Sequence, residues 1–238
     1  MHPQDQNYFK KFASDARKSG KSLSDHYLQI QIDTSGGTKG TGDDYLPGLE
    51  RLRSFLDPQS SYLALGCGAG VEIDWLARNG CTNITGLDIS NNLLQECREK
   101  FGIRTVNADM RRTGLPDKSF DVIVSCRSLH HMFYPYETLE EMARLAKKML
   151  WIVAEPVKTK VKEIPRKIAG KRIISGANIY EFQFDLDDVS RYMAFNGMEQ
   201  IAVWRFWESS AQRAPLCRML NGVVPFLGNR FTAVHQAF

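Results

Sequence analysis

The chain is built on a regular alternation of short apolar runs and amphipathic stretches between residues 61 and 154. The apolar runs are five or six residues long, are followed by or end in glycine or a polar residue, and have the composition of buried strands. Strands that alternate with helices predict a parallel sheet with helices on both faces. The predicted strands cover 61–65, 83–88, 103–107, 120–125 and 149–154, and the predicted helices cover 71–78, 90–100 and 137–147.

This pattern divides the chain into four segments, which are 1–44, 45–156, 157–184 and 185–238. The first is polar with a glycine-rich stretch, and we interpret it as an N-terminal cap or lid. The second, which opens with a helical stripe over 45–56, is the predicted cofactor-binding core. The third lacks periodicity and is strongly basic, which is typical of a solvated lid-like insertion. The fourth completes the same sheet, with helices predicted at 186–195 and 211–224 and strands at 198–207 and 230–236.

Composition narrows the class of protein. The 238 residues carry a net charge of +4, too mild to favour nucleic acid as a partner. No apolar run approaches the roughly 20 residues of a membrane span, and the polar N-terminus lacks a secretory signal. Five cysteines without a C-x-x-C pair favour neither a disulfide framework nor a metal site, and fit a reducing cytoplasm.

The first candidate binding element is a glycine turn. Leu63-Ala64-Leu65-Gly66-Cys67-Gly68-Ala69-Gly70 runs from a strand into a helix, and ligands of open parallel sheets bind at the carboxyl ends of the strands. A turn without side chains lets a ligand approach the backbone there. The same glycines are also compatible with a merely tight turn.

A carboxylate follows the second strand. Asp88 lies twenty residues after Gly68, where it can accept both ribose hydroxyls of an adenosine. This spacing also suits NAD, and Asp88 could instead cap the next helix, a role that Ser90 can fill.

Two further carboxylates lie near strand ends. Asp109 follows the third strand and can accept an adenine amino group, with the backbone N–H of Met110 free for a ring nitrogen. Asp121 begins the fourth strand at the opposite end of the sheet, so we expect it to have a structural capping role.

Together, L-x-L-G-C-G-x-G, G-L-D-I-S, A-D-M, L-P-D-x-S-F-D-V-I-V-S and S-L-H-H-M resemble class I S-adenosylmethionine-dependent methyltransferases of the ubiquinone-biosynthesis-like, small-molecule group. The resemblance covers residues 60–156 and separates the chain from dinucleotide dehydrogenases. It implies a Rossmann-like α/β fold whose seven-stranded sheet is mostly parallel, with an antiparallel last strand.

The resemblance also implies the cofactor, S-adenosylmethionine, and the residues that contact it. Gly66, Cys67 and Gly68 would face the methionine part, Asp88 and the adjacent Ile89 the ribose side, Asp109 and Met110 the adenine, and Ser125 the sulfonium.

The chain departs from the family at two places. Ala64 stands in the first strand where the family usually has an acidic residue that helps to fix the amino end of the cofactor. The usual R-x-L-x-P-G-G before the fifth strand is replaced by Arg144-Leu145-Ala146-Lys147-Lys148-Met149-Leu150. The absence of an acidic residue at Ala64 implies that cofactor binding is weaker, or that another group fixes the amino end of the cofactor.

His130 and His131 follow the fourth strand, near the expected position of the methyl group. Either histidine can accept a proton at neutral pH, and we rank His131 ahead as a general base. Packing or cofactor positioning is the competing interpretation, since methyl transfer chiefly needs alignment and exclusion of water.

The sequence therefore predicts a cytoplasmic methyltransferase that acts on a small molecule, related to sugar or secondary metabolism. A tRNA or other RNA methyltransferase is one alternative, which the basic segment 157–184 would serve. A non-catalytic S-adenosylmethionine-binding subunit is another, which Ala64 favours.

Overall fold

The computed structural model describes residues 14–15, 17–20, 46–132, 134–158, 182–206 and 230–238, and the statements below concern these ranges. The helices are α1 (Leu46–Glu50), α2 (Val71–Arg78), α3 (Asn91–Phe101), α4 (Pro135–Leu145) and α5 (Leu186–Phe195), with short 3-10 helices at Arg53–Phe55 and Leu129–His131. The strands are β1 (Tyr62–Leu65), β2 (Ile84–Asp88), β3 (Arg104–Asn107), β4 (Phe120–Cys126), β5 (Ala146–Pro156), β6 (Met198–Phe206) and β7 (Arg230–Ala237).

The seven strands form one sheet in the order β3-β2-β1-β4-β5-β7-β6. Strands β1 to β5 pair in parallel, whereas β7 runs antiparallel to both β5 and β6. This confirms the predicted α/β fold with a mostly parallel sheet and an antiparallel last strand.

The central strands are continuous apolar runs because they are covered on both faces. Every residue of β1 is buried, and successive side chains point to opposite sides of the sheet. Ala64 packs in one core cluster with Trp75 and Trp151, whereas Leu63 and Leu65 pack in the other with residues of α4 and β5.

Helix boundaries follow local chemistry, and two predictions of helix extent were wrong. The helix predicted at 137–147 begins at Pro135, which suits a first helical position, and ends at Leu145, because Ala146 already pairs with Phe120 in the sheet. The helical stripe predicted at 45–56 divides into α1 and a separate 3-10 turn. The helix predicted at 211–224 lies outside the described residues.

Candidate functional site

The predicted cofactor residues come together at one edge of the sheet, where the parallel strands end. Gly66, Cys67 and Gly68 follow β1, Asp88 and Ile89 stand at the end of β2, Asp109 and Met110 follow β3, and Ser125 lies near the end of β4. Because these strands are neighbours and parallel, their carboxyl ends share a single edge.

The glycine turn combines a tight contact with an open surface. Gly66 has a φ of +72°, and a Cβ there would lie 2.8 Å from the Met110 Cε and from the Ser128 side chain. Gly68 has a φ of +49°, but a Cβ there would meet nothing within 4 Å. The first glycine is therefore required by packing, whereas the second leaves space directly above the turn.

Asp88 is joined to this turn. Its Oδ2 accepts the Gly68 N–H at 2.9 Å and its Oδ1 accepts the Ser90 N–H at 2.8 Å. Burial raises the pKa of the carboxyl, and these backbone hydrogen bonds offset part of the rise. An ionised carboxylate offers about four acceptor positions, so Asp88 retains acceptor capacity for a ligand. The helix-capping role falls to Ser90, whose Oγ accepts the Leu93 N–H.

At the predicted adenine position, the Asp109 carboxylate already has a partner within the protein. Asp109 is paired with Arg111, whose Nη2 lies 2.6 Å from its Oδ2, and this hydrogen bond holds the pKa of Asp109 below its usual value. Met110 is buried with its Cε close to Gly66, and Ile89 is 38% exposed beside Asp88. An adenine amino group would therefore share Asp109 with Arg111.

Beyond β4, a buried carboxylate that sequence reasoning did not assign organises the loop. Glu155, at the end of β5, is fully buried and accepts the backbone N–H groups of Ser128 (2.8 Å), Leu129 (3.0 Å) and His130 (3.1 Å). Its Oε2 also lies 2.7 Å from the His130 Nδ1. The Glu155 carboxylate can accept the hydrogen bond of an Nδ1–H group, and this contact fixes the orientation of the His130 ring.

Backbone strain surrounds this carboxylate. Ala154 and Arg127 adopt φ values of +57° and +52°, which cost a residue with a Cβ roughly 1–2 kcal/mol each. The pairing of β5 with β7 is also irregular between Ile152 and Glu155, and such bulges commonly re-aim a side chain. The strain lies where Glu155 turns toward the loop after β4.

His131 is exposed beside the buried His130, with 4.0 Å between ring centroids. Surrounding protein holds the pKa of His131 well below its ordinary value although the residue keeps an exposed face, and the nearby charges of His130, Arg127 and Arg230 add to this effect. The lowered pKa keeps the His131 ring neutral at neutral pH and also reduces its basicity.

Ser125 and Ser128 link the loop to the glycine turn. Their hydroxyl oxygens lie 2.6 Å apart, and the Ser128 Oγ donates to the Leu65 carbonyl at 3.3 Å. The predicted sulfonium-side residue Ser125 is fully buried, and Ser128 contacts both Ser125 and the Leu65 carbonyl before the glycine turn.

The ends of the basic segment 157–184 also reach this edge. Val157 and Phe184 form a parallel bridge, and the Phe182 N–H donates to the His130 carbonyl at 2.9 Å. The rest of the segment, from 159 to 181, lies outside the described residues, as does most of 1–44.

Two contributors, Glu155 and Ser128, were missed. An acidic residue directly after the apolar run Trp151–Ala154 was the available signal for Glu155, because it stands at the carboxyl end of a strand. Ser128 has no comparable signal. Asp121 lies at the opposite end of the sheet as expected, where it accepts the N–H and the hydroxyl of Ser61.

Residues 63–153 match the methyltransferase domain family. Methyltransferase GfsG of Streptomyces halstedii is 30% identical over 105 residues, which are 40% of this chain and 38% of that protein. The 27-O-demethylrifamycin SV methyltransferase of Amycolatopsis mediterranei is 25% identical over 173 residues, which are 63% of this chain and 62% of that protein. The chain thus spans less than two thirds of the length of these relatives.

The structure resembles the magnesium protoporphyrin IX methyltransferase of Synechocystis solved with bound S-adenosylhomocysteine, with a TM-score of 0.59 and 15% identity over 88% of this chain and 93% of that one. The fold is therefore the Rossmann-like fold of class I S-adenosylmethionine-dependent methyltransferases. The match over residues 63–153 makes this part of the chain similar to the methyltransferase domain and indicates S-adenosylmethionine as the methyl donor. The edge described above fits this cofactor, since Gly68 leaves space over the turn and Asp88 retains acceptor capacity.

No helix within the described ranges is long and apolar enough to cross a membrane.

Proposed function

We propose that the chain transfers a methyl group from S-adenosylmethionine to a small-molecule acceptor by in-line displacement. The observation that carries the proposal is the contact between the Gly68 N–H and the Asp88 carboxylate, with open space above the turn. This contact places the open turn, where the methionine part of the cofactor would lie, next to a carboxylate that can accept the ribose hydroxyls.

When bound, S-adenosylmethionine supplies a methyl group already activated by its sulfonium. The chain's residues then bind and orient. Asp88 accepts the ribose hydroxyls beside Ile89, Asp109 and Met110 flank the adenine, and Ser125 lies on the sulfonium side. Gly66, Cys67 and Gly68 face the methionine part.

His131 is the proposed general base for an oxygen or nitrogen acceptor. Its neutral, exposed ring is held beside His130, which Glu155 fixes through the Nδ1 contact at 2.7 Å. His130 is a positioning residue because Glu155 accepts its backbone N–H and also contacts its Nδ1.

The acceptor class rests on relatives. A methyltransferase named for 27-O-demethylrifamycin SV supports a secondary-metabolite hydroxyl. A ubiquinone biosynthesis O-methyltransferase of Paracidovorax citrulli is another relative, 26% identical over 122 residues. We therefore propose a hydroxyl-bearing small molecule, with O-methylation ahead of N-methylation.

The segments 1–44 and 157–184 are proposed to roof the acceptor site. The anchoring of Phe182 to His130 and of Val157 to Phe184 supports this for the second segment. Deleting residues 1–40 tests the first: methyl transfer should be lost while circular dichroism shows a folded core. Full activity in the truncated protein would refute that part of the roof.

Calorimetry tests the proposed function directly. S-adenosylhomocysteine should bind in the micromolar range, about −7 to −9 kcal/mol, and NAD should not compete. Radiolabelled methyl transfer to a panel of hydroxyl-bearing metabolites should then give a product. Tight NAD binding without S-adenosylhomocysteine binding would refute the proposal. Transfer to tRNA alone would favour the RNA alternative, and binding without transfer to either panel would favour an accessory role.

A further inference from the structure

Glu72, in the first turn of α2, is a buried acidic residue for which the described residues supply no salt-bridge partner. It is 2% exposed, and its Oε1 has no hydrogen-bond partner within the part of the chain that the structure describes. A buried polar atom without a partner typically costs roughly 1–3 kcal/mol, so such an atom calls for a physical explanation.

Glu72 is buried in the first turn of the helix that directly follows the glycine turn, so its carboxyl lies inside the protein close to that turn. Burial raises the pKa of its carboxyl well above the usual value, and Cys97 on α3 and Asp88 on β2 raise it further. The pKa of the Cys67 thiol is raised first by its hydrogen bond to Cys97, and that of the Cys126 thiol by burial, and Glu72 adds to both rises.

This is the neighbourhood in which β1 lacks an acid. Ala64 is fully buried and belongs to the same core cluster as Cys67, Cys97 and Cys126. Ala64 precedes the glycine turn and Glu72 follows it, so the two positions flank the same turn.

Helix capping does not account for Glu72. Its own backbone N–H is the one hydrogen-bond donor that favours the charged form, and Oε1 stays without a partner within the described ranges. A purely structural cap at a helix N-terminus is normally satisfied by backbone N–H groups or water. The other acid of this turn, Asp74, instead forms a surface ion pair with Arg78 at 2.8 Å.

We propose that the Glu72 carboxylate accepts the ammonium group of the methionine part of the cofactor, in place of the acid that β1 lacks. This inference rests on the proposed function. Because burial raises the pKa of the Glu72 carboxyl, binding of the ammonium favours its charged form, and a proton that it loses goes to the buffer. The carboxylate then gains a charge-assisted hydrogen bond.

The test compares two ligands that differ in the group concerned. S-adenosylhomocysteine carries the amino-acid part, whereas 5′-methylthioadenosine has the same nucleoside without it. In Glu72→Gln, affinity for S-adenosylhomocysteine should fall about tenfold or more, while affinity for 5′-methylthioadenosine should stay within about twofold of the wild type. Asp74→Asn is the matched control and should change neither affinity.

Proton release gives a second measurement on the same proteins. Titrations of S-adenosylhomocysteine in two buffers of different ionisation enthalpy should show that the wild type releases more protons than Glu72→Gln. Asp88, Cys67, Cys97 and Cys126 are the other titratable groups around Glu72, and they are present in both proteins.

Equal losses for both ligands in Glu72→Gln, or no loss for either, would overturn the proposal. Restored affinity for S-adenosylhomocysteine in a folded Glu72→Gln, Ala64→Asp double variant would support it. A wild-type protein that binds neither ligand would instead overturn the proposed function on which this inference rests.

Discussion

The two edges of the sheet use carboxylates in opposite ways. At the amino edge, Asp121 accepts the Ser61 N–H at 2.9 Å and the Ser61 hydroxyl at 2.7 Å, and Lys148 lies 3.2 Å away. These partners lower the pKa of Asp121 to about 2. At the carboxyl edge, burial raises the pKa of Asp88, and the backbone N–H groups of Ser90, Gly68 and Ile89 only partly compensate.

This difference separates a structural carboxylate from one available to a ligand. Asp121 is matched to donors and a cation of the chain, so its negative charge stabilises the fold. Asp88 retains acceptor capacity, and burial makes its charge costly until a ligand supplies further donors. The predictions below test this comparison.

The largest effect is expected at His131. His131→Ala should lower kcat by about 100-fold or more, because a positioned general base typically contributes 10²–10⁴-fold. Affinity for S-adenosylhomocysteine should not change, since the ring is proposed to face the acceptor. Steady-state kinetics measures kcat, and calorimetry measures the affinity for S-adenosylhomocysteine. Asp121→Asn, at the other edge of the sheet, serves as the control and should have a normal kcat. A kcat within threefold of the wild type would make His131 a packing residue.

Asp88→Ala should lower the affinity for S-adenosylhomocysteine by about tenfold or more. The substitution removes the acceptor of two charge-assisted hydrogen bonds worth about 1.5–3 kcal/mol each. Calorimetry measures this affinity, and urea unfolding checks that the variant is folded.

Asp88→Asn sharpens the same comparison. It removes the buried charge, so the free protein should be at least as stable as the wild type while binding weakens. Unchanged affinity in either folded variant would assign Asp88 to the turn alone.

The sequence predicted the elements that are local. The glycine turn, Asp88 and the cap at Ser90 depend on residues close to one another or on the ends of neighbouring strands, and their predicted positions agree with the structure. The stretch from Leu115 to Asp117 in the family pattern also has a visible structural reason, since Arg144 donates to the Leu115 carbonyl at 2.8 Å and contacts Asp117.

The contacts made over long sequence separations could not be predicted. Glu155 reaches the loop after β4 through an irregular β5–β7 pairing and a positive φ at Ala154, neither of which has a local sequence signal. Asp109 and Arg111 are only two residues apart, but the sequence pattern does not show whether the Asp109 carboxylate is paired with this arginine or free.

Asp121 should affect stability rather than binding. Its folded pKa of about 2 lies below the ordinary 3.8, and one pKa unit corresponds to about 1.4 kcal/mol, so its charge contributes about 1–2 kcal/mol after allowance for solvent screening. Because the folded pKa is depressed, this contribution is present above about pH 4 and is lost as the pH falls toward 2.

Urea unfolding of wild type and Asp121→Asn across this range checks the sign. The difference between the two proteins should be largest near neutral pH and should shrink toward pH 2, while S-adenosylhomocysteine affinity stays equal near neutral pH. A pH-independent difference would show that the hydrogen-bond geometry, rather than the charge, matters at Asp121.

The smallest effect separates two glycines with similar backbones. Gly68 and Gly102 have φ values of +49° and +64°, and a Cβ on either would meet nothing within 4 Å, so alanine should cost each about 1–2 kcal/mol of stability through the backbone alone. Only Gly68 lies at the carboxyl edge, where the added methyl would enter the space proposed for the methionine part. Gly68→Ala should therefore weaken the binding of S-adenosylhomocysteine by about 1 kcal/mol or more, whereas Gly102→Ala should bind it as the wild type does. Thermal unfolding measures the loss of stability expected in both variants, and calorimetry measures the difference in their affinity for S-adenosylhomocysteine. Equal affinities in the two variants would mean that the ligand does not lie in the space above Gly68.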